Sequence, residues 1–317
     1  MTGPADVLQE AAPRLAPPVI VVVGAASRDV AADDPRGWRL GGGVTYASLL
    51  LGRLGLRVGA LIGVDAEAAD AEELGLLLEA GVDVVRVPLE RGPVFENIER
   101  PGGRVQRSLR ASDPVLPATL PAAWADARAW LLAPVAAELR EGWARVPPES
   151  ALVAVGWQGL LRRLVPGGSV ERVEPAASPL LARADLVGVG ADDLGGDIGV
   201  DALTALLRPG ATLLLTRGAR GGLAVEVGAD GRPVRTRTWP SIPPSRVVDP
   251  TGAGDAFLAG AFAARAEPRL VGGRFAGGWD LRLGAAAGSL ACEHPGLHGI
   301  PDRTAVTRRM GEVLRPA

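Results

Sequence analysis

The sequence contains no lysine: all 34 of its basic residues are arginine. That absence removes whole classes of chemistry. A Walker-type phosphate loop requires its Lys, and so do protein kinases and Schiff-base enzymes. The single cysteine, Cys292, leaves no internal disulfide, which is the pattern of a reducing compartment. The only two histidines, His294 and His298, are spaced like a helical zinc pair. Pro295 and Gly296 lie between them and break such a helix, and no Glu completes the pattern, so zinc is rejected. No apolar run reaches the length of a membrane span. Asp6 and Glu10 stand ahead of Pro13 where a signal peptide needs a basic start and an apolar run. A soluble cytoplasmic protein without a membrane partner is the expectation. A net charge of −2 offers no electrostatic case for nucleic acid, and the seven Trp lack the clustered basic residues of a stacking platform. Gly188-x-Gly190 misses the third glycine of a dinucleotide fingerprint, and no Gly-x-Ser-x-Gly elbow occurs.

What is present is a core-forming chain, with 317 residues of which 47% are hydrophobic. Residues 1–17, rich in Ala and Pro, read as a flexible tail, and residues 18–317 as one α/β domain. Val19–Val23 is a continuous β-branched run of the kind that suits a buried parallel strand. Gly41-Gly42-Gly43 precedes a helical stretch closed by Gly55, a strand follows over 57–62, a helix over 68–80 and a strand over 82–87. Further strands are expected at 129–133, 151–155, 185–189 and 211–215, an antiparallel pair at 223–227 and 234–238, and helices at about 254–266, 280–293 and 302–314. This alternation predicts a doubly wound, mainly parallel sheet flanked by helices. Residues 90–112 are polar and turn at Pro101-Gly102-Gly103, so they read as a hairpin standing off the main sheet; with 28–40 they form a small β-lid.

The chemistry concentrates in Val247-Val248-Asp249-Pro250-Thr251-Gly252-Ala253-Gly254-Asp255. A glycine-rich turn opens a helix there, and a helix N-terminus presents free N–H groups and a positive dipole end, a ready site for an anion. A carboxylate in that first turn would repel a phosphate unless it serves to take a proton from an attacking hydroxyl.

The string Asp249-Pro-Thr-Gly-Ala-Gly-Asp255 resembles the C-terminal signature of the PfkB (ribokinase-like) carbohydrate kinases. The resemblance implies that Gly252, Ala253 and Gly254 form an anion hole and that Asp255 is the catalytic base. It extends to Gly41-Gly42, Leu54-Gly55 and Gly63-x-Asp65, the family's first signature. In relatives the glycine pair lines the sugar pocket and an Asp after the first strand binds hydroxyls, which points to Gly42, Gly43 and Asp29 as substrate ligands, with Asp33 and Asp34 as competitors. Thr216-Arg217-Gly218-x-x-Gly221 resembles the family's turn beside the nucleotide phosphates. Ala286 and Ser289 fall on the small-residue helix that walls its adenine pocket, although tight helix packing explains such residues equally well. The matches run from about residue 19 to 310 and imply ATP and Mg2+. A monovalent cation near 249–252 and a homodimer formed through the lid are also compatible with the family, and no side-chain pattern supports either.

The chain departs from the family at Tyr46, which replaces an Asn, and at Gly190-Ala-Asp-Asp193, which replaces Asn-x-x-Glu. Asp193 is the candidate to support Mg2+ through water. Pro134–Glu138, Gly156-Trp-Gln158-Gly159-Leu-Leu-Arg162, Phe95-Glu-Asn97 and Arg104-Val-Gln106 resemble a branch that includes myo-inositol kinases. Asn97, Gln106 and Gln158 are therefore candidates to face a neutral polyol, since amides both donate to and accept from hydroxyls. Three readings stay open: a polyol or sugar kinase, a nucleoside kinase of the same fold, and a catalytically silent binding or scaffold protein.

Overall fold

The computed structural model describes residues 17–100, 103–165, 167–196, 198–272 and 278–312. The tail expected over 1–17 thus lies, apart from residue 17, outside the described residues, as do Pro101 and Gly102 of the lid turn.

In chain order the strands are β1 (Ile20–Ala25), β2 (Ser27–Val30), β3 (Trp38–Gly41), β4 (Val58–Val64), β5 (Asp83–Pro88), β6 (Val94–Arg100), β7 (Gly103–Arg110), β8 (Ala129–Leu132), β9 (Leu152–Gly156), β10 (Arg162–Arg163), β11 (Gly168–Ser169), β12 (Glu171–Arg172), β13 (Leu186–Gly190), β14 (Thr212–Thr216), β15 (Gly222–Val227) and β16 (Pro233–Trp239). The helices are α1 (Gly43–Arg53), α2 (Ala66–Ala69), α3 (Glu73–Glu79), α4 (Pro179–Arg183), α5 (Val200–Thr204), α6 (Ala253–Ala266), α7 (Trp279–Ala291) and α8 (Arg303–Glu312).

Every residue of β1 is buried, as a strand covered on both faces requires. It sits inside a nine-stranded sheet of order β16-β15-β14-β13-β9-β8-β1-β4-β5. Pairing is parallel from β5 through β14, and the last two strands join antiparallel. Two apolar cores follow, one on each face. α1, α6 and α7 pack into the first; Trp124, Trp130, Trp143 and Trp157, none more than 1% exposed, anchor the second. This is the doubly wound, mainly parallel sheet flanked by helices that the alternation predicted.

The small residues of α7 are explained by packing. A Cβ on Gly260 of α6 would stand 2.9 Å from the Gly284 Cα, and one on Gly284 would stand 2.5 Å from the Phe257 carbonyl. The two helices approach at backbone distance, and only glycine permits that.

The helix expected over 68–80 is two pieces. Asp65 caps α2 by accepting from the Ala68 amide at 2.9 Å. Glu73 is drawn inward by Arg36 (2.6 and 2.8 Å) and the Leu40 amide (3.2 Å), which anchors α3 separately. Asp65 also pairs with Arg28 at 2.7 Å and Arg110 at 3.5 Å, fastening both arms of the lid to the core.

The lid is a five-stranded sheet of order β11-β7-β6-β2-β3. The segments 28–40 and 90–112 supply four strands. The fifth, β11, comes from residues 168–169 and was not legible in the sequence, because a two-residue strand has no periodicity to read.

Glu138 holds the turn beyond β8. It is 1% exposed and accepts from the amides of Ala25 (2.9 Å), Ala136 (2.8 Å) and Val135 (3.1 and 3.2 Å). Burial pushes its carboxyl up, and these amides oppose that shift. Glu138→Gln puts an amide NH2 against backbone donors, so it should destabilise the fold by about 3 kcal/mol. Chemical denaturation should show a lower midpoint at unchanged m-value; an unchanged midpoint would remove Glu138 from this role.

Candidate active site

The carboxyl ends of β1, β9, β13 and β14 open onto one groove, where an open parallel sheet places its ligands. α6 points its N-terminus into this groove. Its cap, Gly252, is left-handed (φ 78°), and a Cβ there would stand 2.3 Å from the Tyr46 ring. Tyr46 thus fills the space beneath the turn, a role that the Asn-to-Tyr departure left invisible. Burial and the carboxylates of Asp29, Asp249 and Asp255 push its phenol well above the ordinary value, so it stays neutral. Asp249 shapes the turn from the other side. Its Oδ1 accepts from the Thr251 amide (2.9 Å) and its Oδ2 from the Gly296 amide (3.1 Å).

The Ala253 amide donates to the Pro250 carbonyl at 3.2 Å, so Ala253 departs from the expected three-residue anion hole. Gly254 is exposed, and a Cβ on it would meet nothing within 4 Å: the groove is open where it passes.

Asp255 follows in the first turn, half-buried. Burial pushes its carboxyl up to about 6; Arg162 nearby opposes the shift, while Asp193 and Asp29 add to it. Across from it lies the Gly41–Gly43 turn. A Cβ on Gly43 would stand 2.8 Å from Asp255 Oδ1, and one on Gly41 would stand 2.5 Å from Asp29 Oδ2. Gly42, with φ 100°, caps α1 between them. The three glycines let two carboxylates flank one short stretch of backbone.

Asp29 faces a cavity of about 320 Å3 lined also by Arg39, Tyr46, Asn97, Asp249 and Thr251. Of its competitors, Asp33 lines the same cavity and pairs there with Arg39 at 2.5 Å, while Asp34 lies outside it and pairs with Arg36 at 3.1 Å. Asn97 and Gln106 are cross-strand partners in register, the Gln106 amide donating to Asn97 Oδ1 at 2.9 Å. Asn97 reaches the cavity wall and Gln106 supports it from the neighbouring strand.

Gln158 sits apart from the other substrate candidates. Its amide donates to Asp193 Oδ1 at 3.0 Å, and the same oxygen takes Arg162 Nη2 at 3.4 Å. Asp193 lies at the end of β13 beside Gly190, where a Cβ would be 2.8 Å from its Oδ2 and 3.7 Å from Thr216 Oγ1. Thr216 begins the next turn, which Arg217 closes by donating its amide to Gly221 O at 2.7 Å; Gly218 and Gly221 both have positive φ (53° and 76°). Of the residues expected at the nucleotide, Ser289 accepts from Arg309 at 2.8 Å, and Ala286 is fully buried.

Among the described residues no three His, Cys, Asp or Glu side chains converge on a metal position. A hydrated Mg2+ needs only one or two carboxylates beside donor phosphates, and Asp193 would be the one to offer it. The expected monovalent-cation position near 249–252 finds the nearest carboxylate, Asp249, with both oxygens held by backbone amides.

Residues 190–303 match the model of the pfkB family carbohydrate kinases. This C-terminal part of the chain is thus similar to that family. Solved structures with the same fold include a pyrophosphate-dependent kinase of the ribokinase family complexed with a pyrophosphate analogue and myo-inositol (TM-score 0.69, 20% identity, 91% of this chain and 99% of that one). A nucleoside kinase from Methanocaldococcus jannaschii (0.65, 15%, 94% and 99%) and Arabidopsis thaliana ribokinase complexed with ribose and ATP (0.63, 19%, 93% and 99%) share it as well. No curated protein matches the chain.

The residues of this groove that sequence reasoning missed are Tyr46 and Arg162. Arg162 closes a motif that the sequence shows, yet its burial beside Asp193 and Asp255 depends on the fold of a hairpin that local sequence does not announce.

Proposed function

We propose that the chain transfers the terminal phosphoryl group of ATP to a hydroxyl of a small polyol or sugar, with myo-inositol as the leading candidate and Asp255 as general base. The observation that carries this reading is the Gly41–Gly43 turn, which sets the carboxylates of Asp255 and Asp29 on either side of itself at the mouth of an α-helix N-terminus. Asp29 and Asn97 hold the acceptor by its hydroxyls. Asp255 takes the proton of the attacking one, and the amides heading α6 face the charge on the moving group. The 216–221 turn lies along the donor phosphates. Asp193 would hold through water the Mg2+ that enters with the donor; when bound, the ion neutralises phosphate charge. Closure of the lid excludes water, and two copies pair through it.

The cavity beside Asp29 favours a polyol over a nucleoside. Tyr46 is the one aromatic among its lining residues, and carboxylates, a guanidinium, an amide and a hydroxyl supply its polar groups. A stacked base has no second ring to meet there.

The test is phosphoryl transfer across a panel of polyols, sugars and nucleosides, with ATP and pyrophosphate as alternative donors. Turnover on a polyol is expected, and Asp29→Asn should raise the KM for that acceptor about 10- to 100-fold through loss of charge-assisted bonds. Turnover on nucleosides alone would replace this reading with the second. Donor binding without turnover on any acceptor would favour the silent-protein reading.

A further inference from the structure

Arg162 is a largely buried arginine that little holds. Its side chain is 14% exposed, and the one acid within ion-pair reach, Asp193, lies at 3.4 Å on an oxygen already shared with Gln158. Other partly buried guanidiniums of this fold are firmly seated: Arg28 on Asp65 at 2.7 Å, Arg36 on Glu73 at 2.6 Å, Arg309 on Glu293 at 2.8 Å. A charge taken out of water is costly unless its hydrogen bonds are met. Arg162 keeps most of its planar fork uncommitted, and such a fork matches the oxygens of a phosphate.

Its surroundings say which phosphate. Asp29, Asp193 and Asp255 all act on the guanidinium electrostatically or directly, and Asp255 in turn feels Arg162 as its chief cation. Three acids around one groove repel a polyphosphate, so a cation among them is needed before phosphoryl can pass from donor to acceptor. The α6 amides approach that point from one side and Arg162 from another.

Resting on the phosphoryl-transfer reading above, we propose that Arg162 is a catalytic residue that grips the transferring phosphoryl group, and that the lid positions it. The acceptor oxygen forms its bond to the terminal phosphorus and its proton passes to Asp255. The bond from that phosphorus to the donor's bridging oxygen breaks, and the electron pair leaves with the remaining donor phosphate. Arg162 pairs with the non-bridging oxygens throughout. The link to the lid is covalent and short. Arg162 opens the β10–β12 hairpin, whose tip, β11, pairs with β7 through Gly168–Ser108 and Ser169–Arg107. The Val170 amide donates to the carbonyl of Gln106 at 3.0 Å, and Gln106 supports Asn97 at the acceptor cavity. The hairpin that holds Arg162 is therefore carried by β7, the strand beside β6, whose Asn97 lines the acceptor cavity.

The experiment compares Arg162→Gln and Arg162→Lys with wild type by two readouts: steady-state kinetics, and calorimetric binding of inorganic tripolyphosphate without acceptor. Arg162→Gln should lower kcat about 100- to 1000-fold with acceptor KM within about threefold, and Arg162→Lys should recover part of that loss. Tripolyphosphate affinity should fall about tenfold or more in Arg162→Gln. A kcat within threefold of wild type, or a loss seen only in acceptor KM, would overturn the proposal. Tripolyphosphate binding equal to wild type would also overturn it, and this arm decides even if wild type turns over no acceptor, an outcome that instead removes the kinase reading itself. Arg162→Lys keeps the charge, so it remains informative if Arg162→Gln fails to fold.

Discussion

Asp255→Asn should lower kcat about 1000- to 10,000-fold and at the same time raise the melting temperature. The two effects share one cause. The carboxylate is held half-buried at the mouth of α6, close to Asp193 and Asp29, and its pKa rises from 3.8 to about 6. The folded protein therefore binds this proton more tightly than the unfolded chain does. Between about pH 4 and pH 6 the folded state keeps the proton that the unfolded state has released, so stability falls as pH rises through that window. Above it, the charged Asp255 costs about 2 kcal/mol, allowing for its partial exposure. Asn removes the charge and with it the cost. Thermal melts should show a gain for Asp255→Asn near pH 7.5 that shrinks toward zero near pH 4. Wild-type kcat should fall on the acid side with a midpoint near the pKa of about 6, because only the carboxylate can take the hydroxyl proton. Retained activity in the Asn variant would remove Asp255 as the base, whatever the melts show.

Gly252→Ala should damage stability and catalysis together. The residue sits at φ 78°, where an L side chain is strained, and its Cβ would stand 2.3 Å from a carbon of the buried Tyr46 ring. Left-handed strain of about 1 kcal/mol adds to overpacking of about 1–3 kcal/mol, so a loss of roughly 2–4 kcal/mol is expected. The turn can relieve the clash only by lifting the start of α6 or pushing Tyr46 toward the acceptor cavity. Either movement displaces the amides and Asp255 by a good part of an ångström, so kcat should fall about 100-fold. Gly254→Ala is the internal contrast. Its Cβ meets nothing, so its stability should match or slightly exceed wild type, and any loss of activity would report the donor's passage over that position. Comparable destabilisation by both substitutions would show that Tyr46 does not set the turn.

Local sequence carried much of this architecture. Val19–Val23 announced a buried strand because a β-branched run with no polar residue has nowhere else to go, and β1 lies at the heart of the sheet. The glycines were not equally legible. Gly55 and Gly81 mark helix ends by positive φ (84° and 76°), a local requirement, whereas Gly260, Gly284 and Gly288 are small because of what another helix places against them. The run 284–289 therefore suits a ligand wall and a helix contact equally well until α7 is seen to lie on α6. The single helix expected over 68–80 failed for a related reason: Glu73 looks like a solvated helix residue until Arg36, distant in sequence, draws it inward.

By itself the sequence determined the succession of the nine main-sheet strands, the glycine-rich turn with Asp255 in its first helical turn, and the polar hairpin of the lid. Each follows from interactions within a few residues, where backbone preference and side-chain period act. Only the tertiary structure decided that Gly43 abuts Asp255, that Tyr46 supports Gly252, that Gln158 turns to Asp193 and that Arg162 is left as a nearly unpaired buried cation. Those contacts join segments far apart along the chain. They are set by the order β13-β9-β8-β1 in the sheet and by the lid strands folding over it, and that order depends on the packing of all the elements at once.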